Sequence, residues 1–135
     1  MEYNIKYISM HIISLQGGKR MKIKNDRGII EITNEVFTVL AGDAATKCFG
    51  VRGMAHKNMK DGIVSLLKRE NMSKGVKVVF DGTDVNIDVH IIVDHGVNIT
   101  AVSESIINEV RYNVEKITRV PVGKVNVKVD AILTE

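Results

Sequence analysis

The sequence lacks most of the residues and motifs that indicate catalysis or a disulfide framework. It has one cysteine, one proline and no tryptophan among its 135 residues. Because Cys48 is alone, no intramolecular disulfide can form, which fits a reducing compartment such as the cytosol. Walker A, dinucleotide-binding, zinc-protease and nucleophile-elbow signatures are all missing from the sequence. We therefore expect neither an enzyme nor a bound cofactor.

What the chain does have is the composition of a globular domain. Its residues are 44% hydrophobic and 26% charged, and a chain of this length can bury about two-thirds of its unfolded surface. The formal net charge is +3, of which residues 1–20 contribute +2 and residues 21–135 contribute +1. So small a net charge does not imply a strong general affinity for nucleic acid or anionic lipid.

Residues 1–20 differ from the rest of the chain. Their apolar part, residues 7–15, is too short to span a membrane, and it lacks the features of a signal peptide. The run Gln16-Gly17-Gly18-Lys19-Arg20 directly precedes Met21, and its codons can spell a purine-rich ribosome-binding site. We predict that Met21 is the true start, that residues 1–20 are a non-native extension or a disordered tail, and that residues 21–135 form a single domain.

Strand and helix patterns alternate along residues 21–135. Apolar spacing predicts helices over residues 34–47, 58–71 and 100–120, and strands over residues 28–32, 76–80, 85–93 and 124–130. Asp81-Gly82 predicts a hairpin between the second and third of these strands. Residues 50–55 fit either a short strand or a turn. Since each strand has a single apolar face, we predict an α+β fold with two layers: a mostly antiparallel sheet of about four strands, with about three helices packed on one face.

The outward positions of two predicted strands form the candidate contact surface. Strict alternation turns one set of side chains away from the core, and this set comprises Asn86, Asp88, His90, Asn126 and Lys128. We expect this polar face, or an edge strand, to contact other proteins.

Two other groups contain residue types found in reactive sites. Asp88, His90, Asp94 and His95 have residue types that bind metals, but zinc sites need three or four convergent ligands, so a solvated sheet face is the favoured interpretation. Cys48 lies among small apolar residues with no histidine near it in sequence, so we expect a buried structural thiol and no nucleophile.

The segment Gly50-Val51-Arg52-Gly53 supports an alternative function. A GxxG sequence between two predicted helices resembles the loop of a KH domain, which lies close to the RNA backbone. Arg52 and Lys57 have the charge for that role. Against this alternative, Met54-Ala55-His56-Lys57 separate Gly53 from the second predicted helix, and Val51 fits a buried strand position.

Several motifs from residue 24 to residue 132 together resemble the alkaline-shock-protein family of Gls-type envelope stress proteins. They include Gly28-Ile29-Ile30-Glu31-Ile32-Thr33-Asn34-Glu35-Val36, Ala41-Gly42-Asp43-Ala44-Ala45, Cys48-Phe49-Gly50-Val51-Arg52-Gly53-Met54 and Val120-Pro121-Val122-Gly123-Lys124-Val125-Asn126-Val127. Lys60-Asp61-Gly62-Ile63 and Leu67-Lys68-Arg69-Glu70-Asn71 are similar to the shorter, housekeeping branch.

The resemblance implies a non-catalytic scaffold or adaptor of cell-envelope stress and homeostasis. It implies a cytoplasmic protein that acts by protein–protein contacts and self-association. Such a protein would reach the inner face of the membrane through a separate anchoring protein, without a span of its own. Nucleic acid is not an expected partner, and the family offers no catalytic motif that could be transferred to this chain.

Overall fold

The computed structural model of the protein describes residues 11–14 and 20–134. These residues form eight strands, two α-helices and one 3-10 helix. The strands are β1 (His11–Ser14), β2 (Arg20–Asn25), β3 (Gly28–Thr33), β4 (Val51–Lys57), β5 (Val64–Leu66), β6 (Val76–Asp81), β7 (Asp84–Asp94) and β8 (Val122–Leu133). The helices are α1 (Asn34–Thr46), the 3-10 helix (Arg69–Gly75) and α2 (Ile99–Thr118).

β7 is the centre of the larger of the two sheets in the described residues. β8 pairs with it in parallel along one edge, over residues 85–94 of β7. The opposite edge is shared by two antiparallel strands, β6 along residues 84–89 and β4 along residues 91–93. β5 extends the sheet beyond β4, and β1, β2 and β3 form a separate antiparallel sheet. The predicted α+β class and mostly antiparallel pairing are confirmed, but the strands are more numerous than predicted.

The main core lies between the larger sheet and the two α-helices. β7 points its alternate residues into this core, and all of them are fully buried: Val85, Ile87, Val89, Ile91 and Val93. α2 faces them with Val102, Ile106, Val110 and Val114. From α1, the Phe37 ring meets the Phe80 ring of β6 edge to face, with 5.4 Å between centroids. One continuous apolar cluster therefore joins both layers.

The predicted helix over residues 58–71 is wrong. The chain instead makes a turn, the short strand β5 and the 3-10 helix. Side chains in the turn compete for backbone donors that a helix would use: Asn58 Oδ1 accepts the Lys60 N–H at 2.9 Å, and Asp61 Oδ1 accepts the Ile63 N–H at 2.9 Å. Gly62, at φ +72°, then adopts a left-handed conformation that is incompatible with a right-handed helix.

The predicted third helix is confirmed as α2. Asn98 caps its first turn by accepting the Ala101 N–H at 3.0 Å, and Arg119 ends it in a left-handed conformation at φ 60°. Arg111 of α2 donates to the carbonyl oxygens of Val122 and Gly123, and so fastens the helix to the start of β8. No helix within residues 20–134 has the length and apolar character needed to cross a membrane.

Part of the predicted N-terminal extension lies in the smaller sheet. β1 pairs with β2 from His11 opposite Lys24 to Ser14 opposite Met21, and Met21 itself is fully buried. Residues 1–10 and 15–19 lie outside the described residues. The start of translation at Met21 stays a prediction that the coding DNA can test.

Candidate interaction surfaces

The five predicted contact residues lie together on the face of β7 and β8 that is turned away from the helices. Their polar groups largely bond to neighbours on the same face. Asn126 Nδ2 donates to Asp88 Oδ1 at 2.7 Å, and the Lys124 N–H donates to Asn86 Oδ1 at 2.8 Å. The polar face is thus a ladder of cross-strand pairs that ties β8 to β7, in addition to being a surface open to partners.

Asp130 also belongs to this face, although it is not among the five predicted contact residues. Its Oδ2 lies 2.9 Å from His90 Nδ1, and its side chain is only 15% exposed. The signal was present in the sequence, because Asp130 follows Asn126 and Lys128 in the outward alternation of β8. What the sequence could not show is that β8 runs beside β7, with Lys128 opposite His90.

The four candidate metal ligands do not converge. Asp94 accepts a hydrogen bond from Arg52 Nε at 2.8 Å, His90 pairs with Asp130, and Asp88 pairs with Asn126. Across residues 20–134, no three side chains of His, Cys, Asp or Glu are placed to hold one metal ion.

The premise of the RNA-binding alternative is wrong. Gly50-Val51-Arg52-Gly53 does not form a loop between helices, because Val51 begins β4 and pairs with Val93 of β7. Gly53 is buried, Val51 is half-buried, and Arg52 is held by Asp94. Lys57 is exposed, but it lies at the far end of β4 from the glycines.

Cys48 is buried in the main core at 8% exposure. Its Sγ lies 3.5 Å from the Ala44 carbonyl oxygen. Burial raises the pKa of the thiol, the nearby Glu109 carboxylate adds to that effect, and a hydrogen bond with Ser105 opposes it. A raised pKa leaves less of the reactive thiolate, so the thiol contributes packing, as the sequence predicts.

An apolar groove between the β2–β3 hairpin and the C-terminal end of α2 was not predicted. Its volume is about 480 Å³, and it is lined by Ile23, Ile30, Glu31, Ile32, Val36, Ile117, Thr118 and Arg119. Three lining side chains stay open to solvent: Ile30 is 48% exposed, Val36 41% and Ile117 60%. The apolar stripe of α2 predicts Ile117 in the core, but the structure buries Thr118 there and leaves Ile117 in the groove.

The apolar surface continues from this groove along α1. A second depression shares Val36 and is lined by Thr33, Glu35, Val36, Val39 and Leu40. Val39 is 44% exposed. Exposed apolar residues are ordinary when single, but a contiguous patch often marks an interaction site.

Comparisons with known proteins identify the chain's relatives. It is 38% identical over 113 residues to the uncharacterized protein YloU of Bacillus subtilis, covering 83% of this chain and 94% of the relative. It is equally similar to the uncharacterized protein Spy1614 of Streptococcus pyogenes serotype M6, at 38% identity over 113 residues, covering 83% of this chain and 93% of the relative.

Among solved structures, the fold is similar to variants of MamM CTD. Two of them are 21% and 22% identical to this chain, each with a TM-score of 0.45. They cover 72% and 75% of this chain and 95% and 93% of their own. This likeness is too distant to bear on function.

The sequence profile of the alkaline shock protein 23 family, described as having a cell envelope-related function, matches residues 22–134. That span includes both α-helices, the polar face and the apolar groove. The resemblance drawn from the sequence motifs is therefore confirmed: the chain belongs to the alkaline shock protein 23 family.

Proposed function

We propose that this protein is a non-catalytic adaptor that maintains the cell envelope, including under stress, by binding other proteins from the cytoplasmic side. The family assignment supports the link to the envelope. The observation that carries the adaptor role is the apolar groove, where Ile30, Val36 and Ile117 stay exposed side by side.

The groove has the features of a protein interface. Its floor is aliphatic, while Glu31 and Arg119 stand among its lining residues. Protein interfaces typically surround an apolar centre with a polar rim, and most of the binding energy comes from a few apolar or aromatic anchors. We therefore expect the partner to insert an apolar side chain between the hairpin and α2. An anchoring protein of the membrane, or a second copy of this chain, would fit the adaptor role.

Purification of the tagged protein from detergent-solubilised cells, followed by mass spectrometry, tests the proposal. The groove variant carries Ile30→Glu and Ile117→Glu, which place charges at positions that are already 48% and 60% exposed. Its folding should therefore be little affected, which thermal unfolding can check. The matched control carries Asn126→Ala and Lys128→Glu on the polar face.

We expect partners recovered with the wild-type protein to be lost with the groove variant and kept with the polar-face control. Sedimentation of the purified protein reports in the same way on self-association. Loss of partners with the polar-face control alone would assign the contact to β7 and β8. An unchanged set of proteins with both variants would contradict the adaptor role of either surface.

A further inference from the structure

The β4–β5 hairpin ends in a loop that combines exposed apolar side chains with lysines. We refer to residues 57–63 as the basic hairpin tip. Met59 is 93% exposed and Ile63 is 59% exposed, so neither contributes much to the core. Lysines stand on either side of Met59 in the sequence, since Lys57 ends β4 and Lys60 directly follows Met59. An apolar side chain held almost wholly in water contributes little to folding, so Met59 is free to serve an external contact.

The basic hairpin tip has a defined shape. The Asn58 N–H donates to the Ile63 carbonyl at 2.9 Å, and the Gly62 N–H donates to the Asn58 carbonyl at 2.8 Å. The side-chain oxygens of Asn58 and Asp61 accept two further backbone N–H groups within the same loop. Met59 is therefore presented on a fixed turn, so that burying it against a partner costs little ordering of the backbone.

The tip also begins a basic stretch of the chain. Residues 57–77 hold six basic and two acidic residues, a net charge of +4. Within the tip, Lys57 and Lys60 outnumber Asp61, and the other four basic residues follow the tip along the chain. Among the ion pairs of residues 20–134, none involves Lys57, Lys60 or Lys68. Their charges are available to an external anion.

We propose that the basic hairpin tip binds the surface of an anionic lipid bilayer. Met59 and Ile63 enter the headgroup region, and Lys57 and Lys60 face the lipid phosphates. Membrane-surface segments combine these two attractions, since apolar burial and basic charge each add binding free energy while neither is strong alone. This contact goes beyond the proposed adaptor function, because it uses a different surface and needs no protein partner.

The chemistry of the tip favours lipid over nucleic acid. Proteins that hold single-stranded nucleic acid stack bases on aromatic side chains, and residues 57–77 contain no aromatic residue. An aliphatic tip gains free energy by leaving water for lipid, and it gains little from a phosphate backbone.

The absence of tryptophan from the chain allows a direct test. Met59→Trp places the only indole at the tip, and Phe49→Trp is the matched control. Phe49 is 91% exposed and precedes β4, while Met59 is 93% exposed and follows it. The seven residues of β4 hold the two positions about 20 Å apart. Each full-length variant is mixed with vesicles of phosphatidylglycerol and phosphatidylcholine, and then with vesicles of phosphatidylcholine alone.

We expect the indole at position 59 to shift its emission to shorter wavelength with the anionic vesicles and to stay unchanged with the neutral ones. The indole at position 49 should not respond. Adding Lys57→Gln and Lys60→Gln should weaken vesicle binding about fivefold for each lysine removed. High salt should weaken it further.

Equal responses from positions 49 and 59, or no response from either, would overturn the proposal. Tight binding to a single-stranded RNA that depends on Lys57 and Lys60, without binding to anionic vesicles, would assign the tip to nucleic acid. The groove variant should bind vesicles as the wild-type protein does. The vesicle experiment therefore tests lipid binding independently of the adaptor function.

Discussion

Two glycines with positive φ offer a sharp test of how the core is built. Gly50 has φ +89° and Gly82 has φ +63°. Alanine in a left-handed conformation costs about 1–2 kcal/mol, so both Gly50→Ala and Gly82→Ala should lower the free energy of unfolding by at least this amount. Gly82→Ala is the matched control, because an added Cβ there meets nothing within 4 Å.

Gly50→Ala should cost more, because the added Cβ would crowd neighbouring side chains. It would lie 3.0 Å from Val102 Cγ2 of α2 and 3.1 Å from Val97 Cγ1. Overpacking of this kind typically costs about 1–3 kcal/mol. We therefore expect a total loss of about 2–5 kcal/mol for Gly50→Ala and about 1–2 kcal/mol for Gly82→Ala.

Urea unfolding followed by circular dichroism measures both losses. With a urea dependence of about 1–3 kcal/mol per molar, the larger loss should lower the unfolding midpoint by about 1 M or more. Equal losses for the two variants would refute the close approach of Gly50 to α2. In that case the positive φ of Gly50 alone, and no contact with α2, would account for the glycine before β4.

Two further predictions concern the hydrogen bonds of Arg111 and the buried thiol of Cys48. Arg111→Leu removes the two donors that bond to the Val122 and Gly123 carbonyls at the start of β8. We expect the free energy of unfolding, measured by thermal unfolding, to fall by about 1–3 kcal/mol. An unchanged melting temperature would show that water replaces the guanidinium. Because burial raises the pKa of the Cys48 thiol above its ordinary value of 9.0, the folded chain keeps that proton when the unfolded chain has lost it. The wild-type protein should therefore lose stability relative to Cys48→Ala as the pH rises past 9.0. Parallel curves for the two proteins would contradict the raised pKa.

The elements with the strongest local patterns were predictable from the sequence. The β6–β7 hairpin follows from Asp81-Gly82 between alternating strands, and α2 follows from its apolar stripe. In both places the local preference and the tertiary packing favour the same structure. The alternation of β7 also correctly placed Asn86, Asp88 and His90 on the polar face.

The elements that were missed depend on interactions that spacing does not reveal. Met59, Ile63 and Leu66 lie at helical intervals, yet the side-chain bonds of Asn58 and Asp61 hold the chain in a turn. The parallel pairing of β7 with β8 follows from the crossover through α2, and a strand with one apolar face does not predict it.

The apolar groove was missed for a related reason. Ile30 and Ile117 lie on separate elements, and the chain alone does not show that the β2–β3 hairpin folds against the end of α2. Each residue taken singly fits a place in the core. Only the arrangement of the two elements shows that both side chains remain in solvent.

β7 is bonded along both edges, with β8 on one side and β6 and β4 end to end on the other. The β4–β5 hairpin is thereby tied to the same rigid strand that supports the helices. Because α2 packs on the same sheet, the hairpin points in a defined direction relative to the α2 wall of the groove. A protein that contacts this wall would thus lie at a defined distance from any surface that the hairpin touches.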